Sequence, residues 1–128
     1  MTNWSKNLIT ITGDEVKIKT ILKKLGEINN PSRESIFETL IGNPSNQPNL
    51  IRFGTSWDVS PENTKITFNN TRIEMKVSTV SFPPAEFCEH LSNEYDVKVE
   101  ITYSGHNFAG KEIYQNKTIK TFEYEPME

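Results

Sequence analysis

Polar and apolar positions interleave at the start of the chain, where Leu8, Ile9 and Ile11 sit with Thr10 and Thr12. A short run of β-branched residues of this kind predicts a strand over 3–12. Gly13 and Asp14 punctuate it, and Asp14 reads as the N-cap of a following helix. There, Ile18, Ile21, Leu22 and Leu25 recur at the i, i+3, i+4, i+7 spacing of one helical face. Lys17, Lys19, Lys23 and Lys24 take the other faces, and Gly26 supplies a stop. A shorter helix is expected after Ser32, where Ile36, Phe37, Leu40 and Ile41 cluster ahead of Gly42. Residues 42–49 are turn formers and read as a loop. Ile51, Phe53, Thr55 and Trp57 then alternate with Arg52, Gly54, Ser56 and Asp58, which predicts a strand that Pro61 ends.

The second half repeats the strand signal. Residues 65–82 read as a hairpin with Asn69-Asn70 at its turn, between Ile66/Phe68 and Ile73/Met75/Val77. Pro83-Pro84 opens a helix, because proline is tolerated in a first turn. Its apolar stripe is Phe87, Cys88, Leu91 and Tyr95, and a strand with Val97, Val99, Ile101 and Tyr103 follows. A last hairpin pairs 112–115 with 118–124 around Asn116-Lys117. The order strand, helix, strand, hairpin, helix, strand, hairpin predicts an α+β domain, its mainly antiparallel sheet covered by helices on one face. Strands are expected over 5–12, 51–58, 72–81 and 97–104, with Ile21, Leu22, Leu25, Phe87 and Leu91 between helices and sheet.

Composition narrows the function classes. A chain of 128 residues is one domain by length, with the hairpin at about 111–125 as an extension. No apolar run approaches the roughly 20 residues of a membrane span, and no leader pattern opens the chain, so a cytoplasmic protein is expected. Cys88 is the single cysteine and has no partner for a disulfide. Fourteen Lys and Arg against seventeen Asp and Glu give a formal charge of −3, which speaks against bulk attraction to nucleic acid or anionic membranes.

Catalytic signatures are missing: the sequence holds no His-Glu-x-x-His, no Gly-x-Ser-x-Gly and no cysteine pair. His90 falls on the polar face of the helix after Pro84, and Cys88 on its apolar stripe. Gly105 to Lys111 resembles a P-loop, but Glu112 stands where magnesium needs Ser or Thr, and a strand pattern follows where a helix should begin. What survives is a glycine-bounded loop whose backbone N–H groups could cradle phosphate. No enzymatic activity, cofactor or metal is expected. The aromatic residues Trp4, Trp57, Phe82, Tyr103 and Phe108 flank strand ends and loops. Trp57 lies among Thr55, Ser56 and Asp58, which suits an indole stacked on a base beside polar edge readers; it equally suits a core plug under a helix.

Four segments in order carry a resemblance: 1–13 with Asn3, Trp4 and Gly13; Gly54 to Asp58; Phe82-Pro83-Pro84 ahead of a helix ending at Tyr95; and Tyr103 followed by Phe108-Ala109-Gly110. Together they resemble small phage- and plasmid-encoded proteins with a ferredoxin-like domain, long classed as a domain of unknown function. The resemblance runs from residue 1 to about 115 and departs at Ser5, where the family commonly has Cys, at Ser81, where it has Trp, and in the short 104–107 loop. Members are similar to phage anti-CBASS proteins, sponges that bind cyclic nucleotide defence signals without cleaving them. The resemblance therefore implies a cyclic di- or oligonucleotide ligand, a homo-oligomer (dimer or tetramer) holding it between subunits, and the cytoplasm of an infected bacterium. Candidate ligand-binding residues are Trp4, Thr55, Ser56, Trp57, Asp58, Ser81, His106, Asn107, Phe108 and Lys111, with Arg72 as a further phosphate contact. The competing expectation is a protein–protein interaction module that inhibits a host enzyme. A single-stranded nucleic-acid binder built on a ferredoxin-like sheet is disfavoured by the net charge and by the lack of an aromatic-basic sheet motif.

Overall fold

The computed structural model describes residues 4–33, 35–42, 48–49, 53–55, 58–106 and 108–124, with 123–124 by backbone alone. Its elements are β1 (Trp4–Thr12), α1 (Glu15–Gly26), α2 (Ile36–Ile41), β2 (Lys65–Phe68), β3 (Arg72–Val80), α3 (Ala85–Tyr95), β4 (Lys98–Ser104), β5 (Ala109–Gln115) and β6 (Thr118–Tyr124). The strands form one antiparallel sheet of six in the order β2-β3-β1-β4-β5-β6. The class is α+β, as the sequence predicts.

Register aligns one set of side chains across the sheet. Ile9 lies opposite Met75 and Ile101, and Ile11 opposite Ile73 and Val99. All six are buried. Ile18 and Ile21 of α1, Ile36, Phe37 and Leu40 of α2, and Phe87, Cys88 and Leu91 of α3 complete this core. Leu22 and Leu25 are only partly buried at its margin, because Ile18 and Ile21 take the centre of the α1 stripe. Asp14 caps α1 by accepting from the Lys17 amide at 2.9 Å. The helix runs through Gly26, with Glu27 as its cap. Burial pushes the Cys88 thiol well above its ordinary range, and the Glu112 carboxylate adds to the shift.

Both hairpins form where expected. Asn116 and Lys117 take positive φ values of 54° and 61°, the primed turn that matches strand twist. The strand predicted over 51–58 does not form at its described positions. Phe53 is helical, Gly54 sits at φ +83°, and Thr55 and Asp58 belong to the connection. A left-handed glycine breaks the pleat, and a Cβ there would stand 3.1 Å from the Ala85 and Glu86 amides. The Phe53 ring instead meets Phe37 edge-on at 5.3 Å, and Phe37 stacks on Phe87 at 4.1 Å. Its burial signal was real, but it belongs to a knot of rings among the helices. Ser81, at φ 66°, ends β3 one residue earlier than predicted.

Candidate functional site

β2 is short, and its pairing with β3 stops at Lys76. The far end of β3, Val77 to Val80, is flanked instead by the incoming 58–63 segment, which turns through a 3₁₀ helix at Pro61–Asn63. Between them lies a depression of about 310 Å³ with Trp4, Asp58, Ser60, Asn63, Ser78 and Val80 in its wall. Asn63 and Ser78 also border a second, more open groove of about 420 Å³, which runs over Lys6, Leu8 and Lys76 toward Thr102 and Ser104. The two hollows therefore adjoin at Asn63 and Ser78. The Trp4 indole is 52 % exposed at the first of them.

A buried polar chain supports this end of the sheet from beneath. Ser5 Oγ donates to Asn7 Oδ1 at 2.7 Å, and Asn7 Nδ2 donates to Val77 O at 3.1 Å and Thr79 Oγ1 at 3.0 Å. Thr79 in turn donates to Phe82 O. The β1–β3 pair is thus tied to the turn that leads into α3. Each of these buried groups has a partner, which avoids the cost of about 1–3 kcal/mol for a stranded one.

The expected site residues fall into separate jobs. Trp4 lines the depression. Asp58 also lines it, but its carboxylate accepts from three backbone amides: Phe37 (2.8 Å), Val59 (2.7 Å) and Glu38 (3.0 Å). It caps α2 from a distant point in sequence, since Ser35 makes no side-chain cap. Burial raises the Asp58 carboxyl above its ordinary range and outweighs the three amides that pull it down. Thr55 is fully buried and donates to Val80 O at 3.0 Å, so it fastens the loop to β3. Ser81 sits half-buried beside it in the β3–α3 turn. Ser56, Trp57 and Asn107 lie outside the described residues.

His106 and Phe108 occupy the β4–β5 turn, at the same end of the sheet as Trp4, because Lys6 pairs with Ser104 and Trp4 with Val80. His106 is exposed. The Phe108 ring folds back over Gly105 and tilts against Tyr103 at 6.2 Å; a Cβ on Gly105 would come within 2.2 Å of it. The Gly105 amide donates to Phe108 O at 2.8 Å. The turn is closed on itself, and that amide is not offered to a phosphate.

Lys111 points to the open face, 3.5 Å from Glu100. Sequence reasoning missed its neighbours there. The same alternation that buries Ile9, Met75 and Ile101 puts Lys6 on β1, Lys65 on β2, Arg72 and Lys76 on β3, Lys98 on β4 and Lys120 on β6 on the opposite side with Lys111. Glu74 and Glu100 are the acidic residues among them. Among the described residues, seven cations against two carboxylates give this face a formal +5 in a chain of −3, while the other described side chains sum to −5. Burial alone would raise the Glu100 carboxyl, yet the ammonium groups of Lys98 and Lys111 outweigh it and hold it below its ordinary range. The signal was present as strand parity, which composition averages away.

Among the described residues no group of three or more His, Cys, Asp or Glu is placed to hold a metal ion, and no helix is long and apolar enough to cross a membrane. Compared with protein-family models, curated proteins and solved structures, the chain matches none.

Proposed function

We propose that the protein binds and sequesters a phosphorylated nucleotide signal, a cyclic di- or oligonucleotide, without cleaving it. The observation that carries this reading is the half-exposed Trp4 indole at a depression that adjoins a groove bearing Lys6 and Lys76. An indole offers a stacking face worth roughly 1–3 kcal/mol per base. The two ammonium groups suit phosphates, and Asn63 and Ser78, between ring and lysines, suit a base edge or ribose hydroxyl. The order β2-β3-β1-β4, with α1 and α3 as crossovers, supports a ferredoxin-like assignment, since it is the split βαβ arrangement. The same topology fits the resemblance to phage and plasmid proteins of that fold, and with it an anti-CBASS role in the cytoplasm of an infected bacterium.

Each hollow is at or just above the lower end of the roughly 300–1,000 Å³ of small-molecule sites, and each is open. A ligand with two bases would be enclosed only if a second copy closed over it, so a homo-oligomer is part of the proposal. Calorimetric titration with a panel of cyclic di- and trinucleotides tests the reading. Binding is expected, with chemically intact ligand recovered after heat denaturation, a larger assembly by light scattering, and an affinity loss of roughly 1–3 kcal/mol in Trp4→Ala. Cleaved ligand, or no binding at high micromolar concentration, would contradict it. Unaltered affinity in Trp4→Ala would place the ligand elsewhere.

A further inference from the structure

We infer that the open face of the sheet, across its full width, is a docking surface for single-stranded nucleic acid. The inference stands on the charge distribution and does not depend on the nucleotide reading above.

One cross-strand row spans the whole sheet. Lys65 pairs with Lys76, Lys76 with Leu8, Leu8 with Thr102, Thr102 with Lys111, and Lys111 with Phe122. Neighbouring strands stand about 4.8 Å apart, so the row extends about 24 Å from β2 to β6. Lys65 and Lys76 hold its β2–β3 end, Lys111 stands next to Phe122 at the β6 end, Lys6 lies in the next row, and Leu8 and Thr102 form the uncharged middle. Lys6, Lys65, Lys76 and Lys120 form no ion pair among the described residues, whereas Arg72 and Lys98 are engaged by Glu74 at 2.7 Å and Glu100 at 3.1 Å. Four uncompensated ammonium groups on one surface suit an anionic partner, and the −5 summed over the other described side chains orients that partner toward this face. The earlier objection from net charge concerns the average over the chain, which describes neither surface.

The rings decide which polyanion fits. Trp4 and Phe122, 52 % and 46 % exposed, stand on this face at β1 and at the outer strand β6. Exposed rings beside lysines are the stacking platforms and electrostatic track that unpaired bases use. A duplex hides its base faces and would meet the lysines alone. The rings lie on strands separated by β4 and β5, so they form no continuous apolar patch for a lipid surface.

Fluorescence anisotropy with labelled oligothymidylate and oligouridylate, over a salt series, is the test. Four phosphate contacts predict a slope of log K against log salt of roughly −3, at about 0.7 per phosphate. The triple variant Lys65→Glu/Lys76→Glu/Lys120→Glu should weaken binding by at least about tenfold and flatten the slope by about 2. Lys23→Glu/Lys24→Glu, on exposed positions of α1, should leave it within about twofold. Phe122→Ala should weaken the oligonucleotide about fivefold or more, at the low end of a stacking contact, and leave any cyclic nucleotide held at Trp4 unaffected. Thermal melting of every variant confirms that the fold is intact. No binding at low salt, equal losses from the α1 pair, or equal binding of duplex DNA, heparin or phosphatidylserine vesicles would each overturn the assignment. Because Phe122 and Lys120 lie outside both hollows, failure here leaves the cyclic-nucleotide titration untouched, and the reverse also holds.

Discussion

On the covered side of the sheet, β1, β3 and β4 present Ile9, Ile11, Ile73, Met75, Val99 and Ile101, all without solvent contact. On the other side, the same strands present Lys6, Leu8, Arg72, Lys76, Lys98 and Glu100. A strand writes two surfaces at once because its side chains alternate. One surface carries the free energy of folding through burial at about 25 cal/mol per Å². The other carries charged, solvent-facing side chains, whose contribution to stability is expected to be small. The comparison teaches that charge and hydropathy should be summed by face, since the sum over both conceals a surface of +5 beneath a total of −3.

If the two faces divide the work in this way, substitutions should sort by face. The largest effect is expected at Phe37, which is fully buried and touches both Phe53 and Phe87. Phe37→Ala should cost about 3–5 kcal/mol in chemical denaturation, and a loss under about 1 kcal/mol would show that the ring knot is not part of the core. Gly54→Ala comes next, at roughly 1–2 kcal/mol, because an L-residue must adopt φ +83°. Asp58→Ala removes the cap of α2 and should cost about 0.5–2 kcal/mol.

Asp58 also sharpens the comparison through pH. Its folded-state pKa is raised, so the folded protein holds that proton more tightly than the unfolded chain does. The stability it contributes is present below the unfolded value and is lost as pH rises through the folded one. Asp58→Asn cannot titrate, so wild type should lose ground relative to this variant between strongly acidic and neutral pH. Wild type gaining ground over that range would reverse the assignment of burial as the dominant influence. The smallest effect belongs to the open face: Lys76→Ala should change stability by no more than about 0.5 kcal/mol. A larger loss there would mean that the lysines are structural, and the division between faces would fail.

Much of the fold was legible because its signals are local. Asp14, the i, i+3, i+4 stripe of α1, the Asn116-Lys117 turn and the apolar stripe of α3 all act over a few residues and form as read. The 51–58 strand misled because alternation at Phe53 and Thr55 can arise from two unrelated burials, one in a ring knot and one as a hydrogen bond to Val80. Gly54 between them was the warning. Asp58 looked like a base reader because its partners, the Phe37 and Glu38 amides, come from the start of α2 some twenty positions earlier. Trp4 was legible as an exposed ring at a strand end. Lys6 and Lys76 were not, because what groups them is the register that places them on one side of β1 and β3.

The central claim is that the open face is where an anionic ligand sits. The most direct measurement is a heteronuclear NMR titration of ¹⁵N-labelled protein, first with cyclic dinucleotides and then with oligothymidylate, followed through the backbone amides. The account predicts saturable shifts at Trp4, Lys6, Leu8, Lys76 and Ser78, extending to Lys111 and Phe122 with the oligonucleotide, while α1 and α2 stay unmoved. Shifts concentrated on the helices, or none with either ligand, would contradict it.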